Sequence, residues 1–279
     1  MQNQEWFNSL PIAPISSWQP VSGGDINEAY QVIADGIPYF IKVQPNQSQE
    51  YFAHERRGLQ ELGTVINTPT PIASGDIDHD AYLILNWLTE GPENQSALGT
   101  AVAKMHQKHH DQFGFYTNHH TKSLIKDNSW NNSWRDFYIN QRLIPEVKVA
   151  QQKHRWSEWR NQHFQNMVNA FDHYYSKHPV TASLLHGDLW AGNYMFTEDG
   201  TPTLIDPDAL YGDREYDLAM TTIFGGFTPD FYQAYNATYP LQDGFENRLP
   251  WYQFYYLCMH LILFGETYGP AVDNILSKY

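Results

Sequence analysis

The stretch "LLHGDLWAGN", residues 184–193, decides how the rest of this sequence is interpreted. Two leucines end what looks like a buried strand, and His186, Asp188 and Asn193 follow within eight positions. A loop of this kind either satisfies its polar groups internally or presents them to a ligand. Residues elsewhere in the chain decide between these two possibilities.

An acidic residue at the end of a predicted β-hairpin favours a ligand. Residues 194–206, "YMFTEDGTPTLID", predict two strands joined by an Asp-Gly turn and ending in Asp206. Because a hairpin brings its ends together, we expect Asn193 and Asp206 to lie close in space. An amide oxygen beside a carboxylate suits Mg²⁺, which takes one or two protein oxygens and completes its shell with water and phosphates. Asp188 would then accept a proton from a substrate hydroxyl.

The N-terminal part of the chain supplies a lysine and a glutamate of complementary charge. Residues 37–43, "IPYFIKV", predict a third strand, and its two apolar faces predict a central position in a sheet. Residues 48–63 predict the next helix, which carries Glu55. A lysine on a strand more often keeps its ammonium in water, but the buried strand and the following Glu55 favour a functional role for Lys42.

The order of these residues is that of protein-kinase-like phosphoryl transfer: a strand lysine, a helix glutamate, His-x-Asp-x-x-x-x-Asn and a late aspartate. Gly23 and Gly24, between the first two predicted strands, lie where a phosphate-covering loop belongs, although the full G-x-G-x-x-G is missing. Residues 81–88, "AYLILNWL", predict a buried strand, and the turn residues of 89–95 predict a hinge.

The predicted fold class is therefore α+β, a two-lobed protein-kinase-like fold. Residues 1–88 are expected to form a small lobe built on an antiparallel sheet, which binds the nucleotide. Residues 89–279 are expected to form a larger, mainly helical lobe with the catalytic loop and the substrate site. Helical periodicity, for example Leu98, Val102 and Met105 on one face, supports the second assignment.

Composition and charge exclude several classes of protein. With 42% hydrophobic and 17% charged residues in 279, the chain is of ordinary globular composition. A net charge of -14 argues against a nucleic-acid partner, which would require a basic surface. The single Cys258 cannot form an internal disulfide, the N-terminus lacks a signal-peptide pattern, and residues 257–265 are too short to cross a bilayer. We expect a soluble, cytoplasmic protein with no membrane partner.

Three segments resemble one family closely. They are "LLHGDLWAGN", "LIDPDALYGDREYDLAM" at 204–220, and "FGFYTN" at 113–118 followed by "NSWNNSWRDFYINQRLIP" at 128–145. Together they resemble the fructosamine kinase (ketosamine-3-kinase) family, which belongs to the same superfamily as aminoglycoside and choline kinases. With the N-terminal elements, the resemblance spans nearly the whole chain.

The resemblance implies ATP- and Mg²⁺-dependent phosphorylation of a sugar hydroxyl on a ketosamine, a glycated amine. By position, Asp188 matches the catalytic base, while Asn193 and Asp206 match the metal ligands. Lys42 matches the lysine that pairs with phosphates, and Glu55 matches its partner.

The resemblance also implies contacts with the nucleotide and the sugar. Asn86, Trp87 and Leu88 match the hinge whose backbone meets adenine, and Trp190 matches an aromatic residue that lines the sugar site. Two residues depart from the family pattern. Asp25 stands where several members have a cysteine, so redox regulation through that loop is not expected, and Asp208 adds a negative charge beside the metal site.

Structural roles are the alternatives for several polar residues. We expect His186 to hold its loop through the backbone and Asp217 to accept backbone N–H groups that anchor the catalytic loop. The alternative to a place in the sugar site for Trp190 is packing in the core. A cluster of histidines raises the alternative of a zinc site: His106, His109, His110, His119 and His120. Their spacing matches no closed tetrahedral site, so positions at a solvated helix end and in a loop are favoured.

Three other functions remain open at this point. The chain could phosphorylate another small hydroxyl compound, such as an aminoglycoside, choline or a sugar. It could bind a nucleotide without catalysis. The Asp-x-Asp of Asp206 and Asp208 also resembles the nucleophile loop of aspartate-dependent phosphatases, although that motif normally follows the first strand of a parallel sheet.

Overall fold

The computed structural model describes residues 2–21, 27–120 and 125–279. The helices are α1 Gln4–Asn8, α2 Ala53–Leu62, α3 Gln95–His106, α4 Trp134–Tyr138, α5 Ile144–Gln152, α6 Glu158–Tyr175, α7 Glu215–Thr221, α8 Pro229–Thr238, α9 Phe245–Phe264 and α10 Gly269–Leu276. The strands are β1 Ile15–Pro20, β2 Glu28–Ala34, β3 Ile37–Gln44, β4 Pro71–Ile77, β5 Asp80–Asn86, β6 His109–His110, β7 His119–His120, β8 Ile125–Lys126, β9 Ala182–Leu185, β10 Tyr194–Phe196, β11 Pro202–Leu204 and β12 Leu210–Gly212.

Contacts between Cα atoms divide the chain into two compact units. The first unit comprises Met1–Asn94 and Tyr194–Asp208, and the second comprises Gln95–Asn193 and Ala209–Tyr279. The first is built on an antiparallel sheet and the second is mainly helical, which confirms the predicted α+β class. The functional division at residues 88 and 89 stays a prediction. Within the described segments, no helix combines the length and the apolarity needed to cross a membrane.

The sheet of the first unit has the order β1-β2-β3-β5-β4, with β3 in the middle as predicted. In this register Lys42 lies opposite Ala29 on β2 and Leu83 on β5. Successive side chains of β3 point to opposite faces of the sheet. Ile41 and Val43 therefore lie in a core on one face, while Phe40 packs against a second core on the other. Lys42 therefore extends from the same face as Phe40.

Two helices cover the two faces of this sheet. Trp6 and Phe7 of α1 belong to the core that contains Ile41 and Val43, and α1 was not predicted from the sequence. On the opposite face, Phe52 and Leu59 of the segment predicted as a helix at residues 48–63 form a core with three residues of β5: Ala81, Leu83 and Leu85. The helix that carries Glu55 is thus packed against the face from which Lys42 extends.

The hairpin predicted at residues 194–206 is present. Tyr194 of β10 pairs with Leu204 of β11, and Phe196 pairs with Pro202. The Asp-Gly turn closes it, because the Asp199 carboxylate accepts from the Thr201 N–H at 3.1 Å. The hairpin joins the first unit through hydrogen bonds such as Gly91 N–H to the Phe196 carbonyl at 2.8 Å.

The second unit places β9 at the centre of a short sheet of order β12-β9-β6. Helix α3 packs against α8 at Gly99, where an added Cβ would lie 2.1 Å from the Phe231 carbonyl oxygen. Only glycine allows this approach of the two helices, which brings the C-terminal end of α3, with His106, next to α8. The loop of residues 186–193 begins where β9 ends, at Leu185.

Candidate active site

Lys42 is buried between two carboxylates of the first unit. Its Nζ lies 2.7 Å from Glu55 Oε1 and 2.7 Å from Asp206 Oδ1. Burial by itself would lower the pKa of Lys42, but the charges of Glu55 and Asp206 outweigh it, so the pKa is raised above its ordinary value. Lys42 is therefore a permanent cation that holds strand, helix and hairpin together. The surface role that a lone lysine would suggest is wrong.

Asp206 has an unusual backbone conformation. It follows β11 with a φ of 53°, in the left-handed region where aspartate is one of the tolerated residues. Its side chain is 45% exposed, in contrast to the buried Lys42. Residues held in sparsely populated conformations cluster at functional sites, because the surrounding structure must hold them there.

A second polar pair lies beside the first one. His54 precedes Glu55 on α2, and its Nε2 lies 3.1 Å from Oδ1 of Asp208. The side chains of His54 and Asp208 are only 2% and 12% exposed. The extra negative charge expected near the metal site is thus in contact with a buried imidazole, and no pattern in the sequence had linked these two residues.

In the second unit, Asp217 holds the start of the 186–193 loop. Its two carboxylate oxygens accept the backbone N–H groups of His186 at 2.7 Å and Gly187 at 2.8 Å. Gly187 has a φ of 83°, which a side chain would strain. Asp217 is fully buried, so these bonds are shielded from water. The anchoring role predicted for Asp217 is confirmed.

His106 supports Asp217 from the other side. The expectation that it lies at a solvated helix end is wrong, because its side chain is fully buried at the end of α3. Its Nε2 lies 3.2 Å from Asp217 Oδ2 and its Nδ1 lies 2.8 Å from the Tyr235 hydroxyl. Since an ionised carboxylate only accepts, the imidazole donates from Nε2.

The other four histidines of that group all lie in short strands instead of loops. His109 and His110 form β6, which pairs with β9, and His110 stacks on Trp130 with 4.2 Å between ring centroids. His119 and His120 form β7.

Asp188 and Asn193 contact each other directly. The Asn193 amide donates from Nδ2 to the Asp188 carbonyl at 2.8 Å and to Asp188 Oδ2 at 3.0 Å. Because only the NH₂ end of an amide donates, the carbonyl oxygen of Asn193 is the atom left to act as a ligand. Nδ1 of His186 accepts from the Asp188 N–H at 3.2 Å, as expected for a residue that holds the loop.

Tyr256 of α9 also holds the same loop through a hydrogen bond. Its hydroxyl donates to the Gly187 carbonyl at 3.1 Å. Burial, together with the negative charges of Asp217 and Asp188, raises the pKa of Tyr256 well above its ordinary value. The hydroxyl therefore stays protonated and keeps donating. This residue carried no recognisable signal in the sequence.

Trp190 is exposed, so its alternative as a core residue is wrong. Its side chain belongs to the large apolar groups on the surface, with 41% of its area exposed. The indole lies over Gly192, where an added Cβ would be 2.3 Å from Cζ2 of the ring. Gly192 therefore allows the orientation of an exposed aromatic residue two positions after Asp188.

Of the residues predicted to contact the nucleotide, the structure describes those at 86–88. Asn86 ends β5, and its side-chain oxygen accepts the Thr70 N–H at 2.5 Å. Trp87 lies beyond the strand, with its ring 6.4 Å from that of Phe40. These residues and Leu88 stay predictions as the adenine hinge. Gly23, Gly24 and Asp25 lie outside the described residues.

Residues 213–217, "DREYD", form a buried charged segment in which sequence reasoning predicted an individual role only for Asp217. Asp213 Oδ2 accepts from the hydroxyls of Tyr175 and Tyr252, each at 2.7 Å. Both oxygens of Glu215 contact the Arg248 guanidinium, with the shortest distance 2.6 Å. A dense run of charges at the start of helix α7 was the available signal, because buried charges require paired partners.

The model of the fructosamine kinase family matches residues 3–279, which is nearly the whole chain. The chain belongs to the fructosamine kinase family. The resemblance noted on "LLHGDLWAGN" and the two other segments is thereby confirmed.

Individual proteins agree with this membership. A protein of Lactiplantibacillus plantarum named probable ketoamine kinase is 54% identical over 274 residues, covering 98% of each chain. A crystal structure assigned to a fructosamine-3-kinase of Haemophilus somnus matches this fructosamine kinase family member with a TM-score of 0.85 at 25% identity, covering 98% and 94% of the two chains. An aminoglycoside phosphotransferase in complex with ADP and hygromycin B matches at 15% identity with a TM-score of 0.65, covering 95% and 94%, and shows the shared fold alone.

Asp217→Asn should destabilise the protein. An amide has one acceptor oxygen where the carboxylate has two, so one buried N–H of the 186–193 loop loses its partner, which costs about 1–3 kcal/mol. We expect a lower midpoint of urea unfolding. Asp230→Asn, in the exposed first turn of α8, is the matched control and should leave the midpoint unchanged. An Asp217→Asn midpoint equal to that of the control would contradict the anchoring role.

Gly192→Ala should move the Trp190 ring without unfolding the protein, because the new Cβ and the indole cannot occupy the same space. The measurement is the indole N–H resonance of Trp190, assigned with Trp190→Phe. It should shift, while the resonance of Trp159, an exposed tryptophan on α6, stays in place. An unshifted Trp190 resonance would show that the ring does not depend on Gly192.

Proposed function

We propose that this chain is an ATP- and Mg²⁺-dependent kinase that phosphorylates a sugar hydroxyl of a ketosamine. Membership of the fructosamine kinase family supports the substrate class. The observation that carries the mechanism is the buried Lys42 between Glu55 and Asp206, each at 2.7 Å. A cation placed in this way beside an exposed carboxylate suits a metal–phosphate complex, which brings both an anion for Lys42 and a cation for Asp206.

The donor set fits Mg²⁺. Asp206 offers an exposed carboxylate, and Asn193 has committed its NH₂ end to Asp188, which leaves an amide oxygen. Family membership supports the choice of these two residues as the ligands. When bound there, Mg²⁺ would neutralise charge on the phosphates.

Lys42 would pair with the phosphates and Glu55 would keep it in place. Because Lys42 is bonded to Glu55 independently of Asp206, it can exchange the second carboxylate for a phosphate oxygen without losing its orientation. The backbone of Asn86, Trp87 and Leu88 would meet the adenine, and the loop with Gly23 and Gly24 would cover the phosphates.

Asp188 would orient the sugar hydroxyl and accept its proton. Its Oδ2 is held by the Asn193 amide, and its backbone is held through His186. A carboxylate with a fixed orientation suits general-base assistance, which is typically worth about 10²–10⁴ in rate. Trp190, exposed two residues later, would offer an aromatic face to the sugar ring.

The phosphatase alternative receives no support from the first unit. Asp206 follows a strand of an antiparallel hairpin, not the first strand of a parallel sheet. Its carboxylate is paired with Lys42, and that of Asp208 contacts His54. Neither carboxylate has the surroundings of a nucleophile with its neighbouring acid.

The test is ATP-dependent phosphorylation of a model fructosamine, run beside an aminoglycoside, choline and an unmodified sugar. We expect transfer to the fructosamine alone, and Asp188→Ala should reduce kcat by about 10²–10⁴, the range of general-base catalysis. Its unfolding midpoint should match that of the control Asp230→Ala. Transfer by Asp188→Ala at the wild-type rate would refute the role of Asp188. ATP binding without transfer to any acceptor would favour a non-catalytic nucleotide-binding protein.

A further inference from the structure

The segment after β11 is attached to α2 at two points. The segment is "DPD", residues 206–208, in which Pro207 separates two aspartates. The consecutive helix residues His54 and Glu55 face these two aspartates. Glu55 reaches Asp206 through Lys42, with two contacts of 2.7 Å, and His54 meets Asp208 directly at 3.1 Å. Only the first attachment belongs to the kinase pattern recognised in the sequence.

The backbone at Asp206 needs support from outside. Its φ of 53° lies in the left-handed region, and the following Pro207 restricts the conformations open to it further. A residue in such a conformation persists only when its surroundings hold it there. Lys42 can hold the Asp206 side chain, but by the proposed function this contact is exchanged when nucleotide binds. Asp208, two residues along the chain, is placed to supply a support that remains during that exchange.

Asp208 has the burial expected of such a support. Its side chain is 12% exposed, while that of Asp206 is 45% exposed. His54, its contact, is 2% exposed and lies on a helix packed through Phe52 and Leu59 into the core. A buried carboxylate that lost this contact would be left with a desolvation cost, so the pair resists separation. Pro207, with its fixed φ, transmits the position of Asp208 to Asp206.

We propose that His54 and Asp208 form a positioning pair that holds Asp206 in the orientation needed for metal binding. Asp208 is then not itself a metal ligand, although its carboxylate is only two residues from one. The inference rests on the proposed function of Asp206 as a ligand. On this inference Asp208, the second acidic residue of "DPD", acts by contacting His54 and not by binding the metal.

A cycle of three variants tests the pair: His54→Ala, Asp208→Ala and the double variant. The probe is Mn²⁺ with a non-hydrolysable ATP analogue, and free Mn²⁺ is measured by electron paramagnetic resonance. Loss of an outer-shell partner typically costs about 10–100-fold in metal affinity. We expect each single variant to weaken Mn²⁺ binding by a factor in this range, and the double variant to be no weaker than either single one.

The alternatives give different patterns. If Asp208 were a ligand, Asp208→Ala would lose much more Mn²⁺ affinity than His54→Ala, and the proposal would be overturned. If the pair only stabilised the fold, unfolding midpoints would fall while Mn²⁺ affinity of the folded protein stayed at the wild-type value, which would overturn it equally. His173→Ala, at an exposed position of α6, is the control and should change neither quantity.

Conservative variants keep the test decisive if the alanine variants do not fold. His54→Gln retains an N–H donor and Asp208→Asn retains an oxygen acceptor. Both variants should therefore bind Mn²⁺ more tightly than the alanine variants. If the alanine variants are unfolded, the two conservative variants should bind Mn²⁺ with an affinity close to that of the wild type. A tenfold loss in Asp208→Asn with none in His54→Gln would indicate a ligand carboxylate and overturn the proposal. Metal binding needs no sugar acceptor, so a wrong substrate assignment would appear only in the phosphorylation assay.

Discussion

The buried ammonium of Lys42 is the constraint on which the first unit depends. A charge removed from water is tolerated only when opposite charges compensate it closely, and here Glu55 and Asp206 do so at 2.7 Å each. The three residues come from a central strand, a helix and the end of a distant hairpin. Burial of one cation therefore requires three separate segments to meet, and their meeting creates the phosphate-binding end of the proposed site.

The 186–193 loop of the second unit shows the same principle with a buried anion. Asp217 is fully buried, and its oxygens accept from His186 and Gly187 while His106 approaches from α3. The loop "LLHGDLWAGN" thus satisfies its backbone through residues outside it. Asp188 is partly exposed and Trp190 is exposed, so the two side chains that the proposed function assigns to the substrate remain accessible.

Local patterns predicted the elements that carry the site. The two-residue period of β3 predicted its faces and its central position, and the spacing of apolar residues predicted α2 behind Lys42. The Asp-Gly turn predicted the β10–β11 hairpin. Helix α1 was missed because five residues carry too little periodicity, and the burial of His106 was missed because its environment comes from α7 and α8, far away in the sequence.

The sequence by itself determined the order of chemical groups, the type of each main element and the family, because these follow from neighbours along the chain and from short motifs. Only the tertiary structure decided which groups are buried and what each contacts. His54 with Asp208, Tyr256 with Gly187 and Trp190 over Gly192 were all outside the reach of local patterns. The physical reason is that burial and pairing depend on the packing of distant segments, which sets the cost of a charge or a polar group at each position.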